Sequence, residues 1–223
     1  MSPNNPTGSY LGAGDCDRLA DLAARHGIAI IADEVFADFP LAPNPDAVTA
    51  LSGRALPALT FSLGGLSKAS GLPQMKLGWI AATGPTDLVG QALRNLDLVT
   101  DSYLSVGTPV QLALPKLLEI GGILRKVILE RVVRNLGTLA ARIGRDSPCT
   151  LLPVEAGWSA IVRVPEVTSD EDWALRLLRE HGVLVQPGYF FDLRLGATLV
   201  VSLLPPPRVF DPGVVALLAT CQV

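Results

Sequence analysis

Three short runs constrain this chain most: IAIIAD (28–33), LTFSL (59–63) and LGWIAATG (77–84). Each is strand-sized and almost unbroken in apolar residues. A strand covered on both faces reads this way, and such strands belong to parallel sheets flanked by helices. Helix-compatible segments alternate with them. Gly14-Asp15 opens one, with Asp15 the expected N-cap, Leu19, Leu22 and Ala23 the expected apolar face, and Gly27 the expected stop. Pro85 starts another of roughly four turns. The alternation predicts a parallel α/β sheet.

The pattern then changes. Residues 109–145 are helix-compatible, with Gly121-Gly122 the expected break or kink. Leu124, Val127, Ile128, Val132 and Leu136 recur at helical spacing along that stretch. After Asp146-Ser147-Pro148 the chain is mixed. SAIVRVP reads as a strand, and 169–181 as a helix opened by the capping-box-like SDED. VLVQPG and TLVVSLL read as strands, and 210–221 as a last helix. This divides the chain into a parallel-sheet domain over 1–107, a connecting helical region over 108–148 and a small α+β domain over 149–223.

Composition narrows the class. The 223 residues are 49% hydrophobic and 17% charged, so the chain buries a sizeable core and is no disordered tail. A net charge of −3, with no basic run, gives no electrostatic case for nucleic acid or an anionic membrane. Cys16, Cys149 and Cys221 are odd in number and scattered. They suit a reducing compartment better than a disulfide framework, and they lack metal-ligand spacing. No stretch reads as a signal peptide or a membrane span. The expectation is a cytoplasmic protein without nucleic-acid, membrane or metal partners.

Four features stand at definite spacings: Asn5 in NPTG, Asp33 in ADEVF, and Lys68 and Lys76 in GLSKASGLPQMK. Singly they are bland. NPTG is a turn, a strand-end carboxylate is a weak site signal, and loop lysines are solvated charges. Together they are specific. Intervals of 28, 35 and 8 residues separate Asn5, Asp33, Lys68 and Lys76 in turn, and HGVLVQPGYFF follows later. The set resembles the class I/II aminotransferases of pyridoxal-phosphate (PLP) fold type I over nearly the whole chain. That resemblance implies the α/β fold, with 1–107 a partial PLP-binding large domain. Lys68 would form the Schiff base with the cofactor aldehyde and move the substrate proton. Asp33 would keep the pyridine nitrogen protonated. Asn5 would donate to the ring oxygen. Lys76, where the family usually has arginine, would bind the phosphate together with Ser67.

Three further positions depart from the family pattern. Phe36 stands where a tyrosine often donates to the ring oxygen. Gly65 stands where a serine often meets the phosphate. Val200 stands where an arginine usually holds the substrate carboxylate, with Arg208 and Arg163 nearby in sequence. The family's NPTG loop also follows a large part of the main domain. A truncated chain, poor in PLP binding and inactive alone, is therefore the expectation. The resemblance implies a transaminase passing an amino group from an amino acid or amine to a 2-oxo acid, as a homodimer in amino acid metabolism. The alternatives are another PLP reaction such as a lyase, a non-catalytic ligand-sensing domain, and an inactive fragment.

Overall fold

A computed structural model describes residues 1–222. The chain divides into two compact units. Met1–Pro3, Tyr10–Asp38 and Pro43–Lys126 form the first; Asn4–Ser9, Phe39–Ala42 and the chain from Val127 onward form the second.

In the first unit, α1 (Ala13–Arg25) buries Cys16, Ala20 and Ala23. These sit at i, i+4 and i+7, one true helical face. The expected face at Leu19 and Leu22 is corrected: both are exposed. Asp15 is not the cap. Gly12 is, and the Ala13 N–H is met instead by the Asp46 carbonyl at 2.9 Å. Asp15 lies in the first turn, ion-paired to Arg18. At the other end Gly27 takes φ +61°, and the Ile28 N–H reaches back to the Ala23 carbonyl at 2.9 Å, a Schellman closure.

The first unit's sheet has the order β1-β2-β3, built from Ile30–Asp33, Thr60–Gly65 and Gly78–Thr83. The first two strands are parallel, as expected; β3 runs antiparallel to β2, which corrects the expected direction. The reason is the connection. Residues 66–77 hold only α2 (Leu66–Ala69) and a 3-10 turn (Pro73–Met75), too little helix for a crossover. Burial on both faces is also corrected, since Ile31 is 69% exposed. Beyond β3, α3 spans Thr86–Asp101 in about four turns.

Helix α4 (Thr108–Arg142) runs unbroken for 35 residues, through Pro115 and the glycine pair, so of the expected break or kink there is no break. The division between units falls within it. Past that point Val132, Asn135 and Leu139 are fully buried. The second unit's sheet comprises β4 (Thr150–Leu151), β5 (Ser159–Arg163), β6 (Gln186–Pro187) and β7 (Thr198–Ser202). They pair antiparallel in the order β4-β5-β7-β6. The VLVQPG strand is thus shorter than expected. Helices α5 (Asp170–His181) and α6 (Pro207–Thr220) complete the unit. The last helix starts earlier than expected, because extended Pro206 and Pro207 at its first turn pre-set the entry. Trp173, Leu177, Leu199, Val162 and Leu217 centre its core.

Two polar devices hold this unit. Asn135 donates its amide to the carbonyls of Leu203 and Pro205, both at 2.9 Å. Its neighbour Arg134 grips the Asp211 carboxylate on α6, the Nη2–Oδ2 contact being 2.6 Å. At α5 the expected capping box is present: the Asp172 N–H donates to the Ser169 hydroxyl at 3.0 Å, and that hydroxyl donates to the Asp172 carboxylate at 2.7 Å. Hydrogen bonds from Ser169 and Thr168 hold the Asp172 carboxyl below the usual aspartate range, and the Arg134 bond does the same for Asp211.

Asn135→Ala removes the donor to one buried and one part-buried carbonyl and is expected to cost about 2–3 kcal/mol in denaturant unfolding. Both carboxyls are depressed, so the stability they give is complete at neutral pH and lost as pH falls through their folded pKa values, below about 4. Ser169→Ala should cost about 1 kcal/mol at pH 7 and flatten that acid limb.

Candidate active site

The site is built where β1 and β2 end side by side. In that parallel pair Asp33 stands opposite Leu63, and the Glu34 N–H bonds the Leu63 carbonyl at 3.1 Å. Carboxyl ends of parallel strands are where α/β sheets bind ligands. The half-buried Asp33 carboxylate accepts the Val35 N–H at 3.2 Å, which turns the chain sharply after the strand. That turn brings Phe36 inward, buried, and Lys68 Nζ lies 5.8 Å from the centre of its ring.

Lys68 is half-buried on α2, the single turn that follows β2. The Leu66 N–H bonds the Leu77 carbonyl at 3.0 Å and closes the 66–77 connection at its base. Two glycines permit this. A Cβ on Gly64 would sit 2.8 Å from Trp79 Cζ2 and closer still to the indole nitrogen, and one on Gly65 would sit 3.2 Å from the Leu77 carbonyl oxygen. The glycine at the family's serine position therefore serves the turn. Ser67 is half-buried beside Lys68, and Lys76 is exposed, closing the 3-10 turn in a left-handed conformation at φ +52°.

Helix α4 supports both segments. Fully buried Ser70 donates to the Leu117 carbonyl at 3.2 Å. A Cβ on Gly121 would lie 2.9 Å from Ser70 Cα and closer to its side chain. Arg125 pairs with Asp38 at 2.8 Å, just past Phe36. Residues 117, 121 and 125 form one face at i, i+4 and i+8. The sequence marked the glycine pair as a break; its role as a seat was visible only once Ser70 was placed against it.

A model of the class I and II aminotransferases matches residues 1–203. The chain belongs to that family. This aminotransferase-family chain is 27% identical over 218 residues to nicotianamine aminotransferase A of Hordeum vulgare, covering 92% of the chain and 46% of that protein. It is 26% identical over 207 residues to an S-alkyl-thiohydroximate lyase of Arabidopsis thaliana, covering 87% and 44%. In fold it is similar to tyrosine aminotransferase of Leishmania infantum, with a TM-score of 0.85 at 22% identity, covering 99% of this chain and 55% of that one. The chain thus spans about half the length of the curated relatives it matches.

Asp33, Ser67, Lys68 and Lys76 all lie in the first unit. Asn5 belongs to the second unit's loop, where it is exposed. The organiser of that loop is its neighbour Asn4, which sequence reading passed over. Asn4 Oδ1 accepts the Thr7 hydroxyl at 2.9 Å, and its carbonyl accepts the Gly8 N–H at 2.8 Å. Gly8, at φ +70°, lies too close to Val154 and Ala156 for any Cβ. Val200 is buried beside its β5 partner Ile161, while Arg163 and Arg208 are exposed. Among the described residues no cluster of His, Cys, Asp and Glu offers a metal site, and no helix is long and apolar enough to cross a membrane.

The glycine pair offers a signed test. Gly122 faces open space, so Gly122→Ala should gain up to about 1 kcal/mol from helix propensity alone. Gly121→Ala should lose about 1–3 kcal/mol by overpacking against Ser70. Urea unfolding of both variants reads the difference in sign.

Proposed function

We propose that this chain supplies the PLP-binding lysine and its partners for transamination between an amino acid or amine and a 2-oxo acid. The observation that carries the reading is Lys68, half-buried on the turn after β2 with its amine over Phe36, beside the parallel strand that ends in Asp33. The donor set suits the cofactor's chemistry: an amine for the aldehyde, a carboxylate for the pyridine nitrogen, and an ammonium with a hydroxyl for the phosphate.

PLP, when bound, withdraws electrons from the substrate carbon that loses its proton. Lys68 Nζ would hold the aldehyde carbon and, once displaced from it by the substrate amine, would be the free amine that takes and returns that proton. Asp33 would accept a hydrogen bond from the pyridine N–H and keep the proton on that nitrogen. Phe36 packs against Lys68 and offers no hydroxyl, so the ring oxygen depends on other donors. Asn5 takes that role by its place in NPTG. Lys76 and Ser67 would hold the phosphate; Lys76 would give a point charge without the two-pronged grip of arginine. A homodimer in the cytoplasm is part of the same reading, supported by family membership and by three unbridged cysteines.

A second reading, cleavage of a substrate bond by the same lysine, is favoured by the similarity to a lyase. The two share Lys68 and Asp33 and differ in product. A new amino acid formed with a stoichiometric oxo acid marks transamination; release of a thiol or ammonia marks a lyase.

With PLP added, the chain should take up a borohydride-fixed label on the peptide carrying Lys68 and lose it in Lys68→Ala. Lys76→Ala should weaken PLP binding about tenfold, roughly 1.4 kcal/mol. Folded wild type that takes the label at another lysine and not at Lys68 sinks the assignment.

A further inference from the structure

Two of the three cysteines meet in the second unit. Cys149 lies between the turn at Ser147 and β4, and Cys221 caps the end of α6. Both are buried, at 2% and 0% exposure, in one apolar cluster. Ser147 and Pro148, which lead directly into Cys149, line one open cleft of about 560 Å³ together with Arg145 and Cys221. The Cys149 N–H donates to the Ser147 hydroxyl at 3.2 Å and fixes that approach. The neighbouring Cys221 thiol holds the Cys149 thiol below the ordinary cysteine range, and Cys149 together with burial pushes Cys221 up. Cys16 is buried apart from them, on α1 in the first unit.

We propose that Cys149 and Cys221 are a disulfide-forming pair, oxidised by hydrogen peroxide entering the cleft between residues 145–148 and the end of α6. One S–S bond forms. The peroxide O–O bond and two S–H bonds break. The sulfurs are oxidised, the peroxide oxygens are reduced, and the thiol hydrogens leave in two molecules of water. In a reducing compartment the pair rests as thiols, and exchange with a small dithiol reverses the bridge. The bridge ties the last helix to the entry of the sheet, so its effect falls on the unfolded chain, which loses freedom across the whole stretch between them. This inference is independent of the cofactor reading.

The test treats the full chain with hydrogen peroxide, blocks remaining thiols after unfolding, and maps unreduced peptides by mass. The expected result is one linked pair, Cys149 with Cys221, with Cys16 blocked and the link lost on adding dithiol. The linked protein should melt higher by roughly 10 °C. Cys149→Ala and Cys221→Ala should each abolish that gain, while Cys16→Ala keeps it. Should either of the first two fold poorly, the wild-type map decides alone. Finding both cysteines blocked and unlinked, separately over-oxidised, or bridged to Cys16 overturns the proposal.

Discussion

One face of α4 bears the candidate site. Ser70 sits so close to Gly121 that only hydrogen fits between helix and turn, and its hydroxyl is bound to the Leu117 carbonyl one helical turn earlier. One turn later Arg125 holds Asp38. The two contacts differ in weight. The ion pair is about one-third to one-half exposed, so solvent screens it and it sets direction more than stability. The Ser70 contact is buried and steric, and a packed interior does not yield to an added methyl cheaply. The lysine turn and the exit from β1, in contact through Lys68 and Phe36, are thus also referred to a common platform.

That platform needs a matching turn. The strand entering it is central in its sheet, and the strand leaving it must return alongside within twelve residues. A crossover helix does not fit in that length, so the chain doubles back, and the Leu66–Leu77 hydrogen bond fixes the point of return. Gly64 and Gly65 follow from this. One admits the Trp79 indole across the ladder, and the other admits the Leu77 backbone. A serine at the second position would set its side chain against the carbonyl that closes the turn. The departure from the family pattern at Gly65 therefore has a local packing cause, and Ser67, two residues on, is the hydroxyl left near Lys68.

Sequence reading gave element types better than packing. Strand and helix types followed from apolar period, and the proposed site residues Lys68, Asp33 and Lys76 are marked by local motifs. The errors share one origin, which is that partners distant in sequence are invisible to a local pattern. Leu19 and Leu22 looked like a buried face, but Cys16, Ala20 and Ala23 meet the core because small residues allow closer approach. Asp15 looked like a cap, but Asp46, distant in sequence, satisfies the helix start. The glycine pair in α4 looked like a break because its reason, Ser70, lies in another element. The direction of β3 depended on counting the helical residues between strands, which the apolar runs alone do not disclose.

Val200 bears on what the second unit can recognise. Strand register places it opposite Ile161 on β5 and Gln186 on β6, with Leu199 and Val201 on the alternate face in the core. An arginine there would carry a charge into a buried site beside isoleucine. Such a charge is tolerated only where a partner meets it in good geometry. The position is built for an apolar neighbour, and the nearby arginines at 163 and 208 are spent on solvent. Under the transaminase reading, a substrate carboxylate gains nothing from this strand.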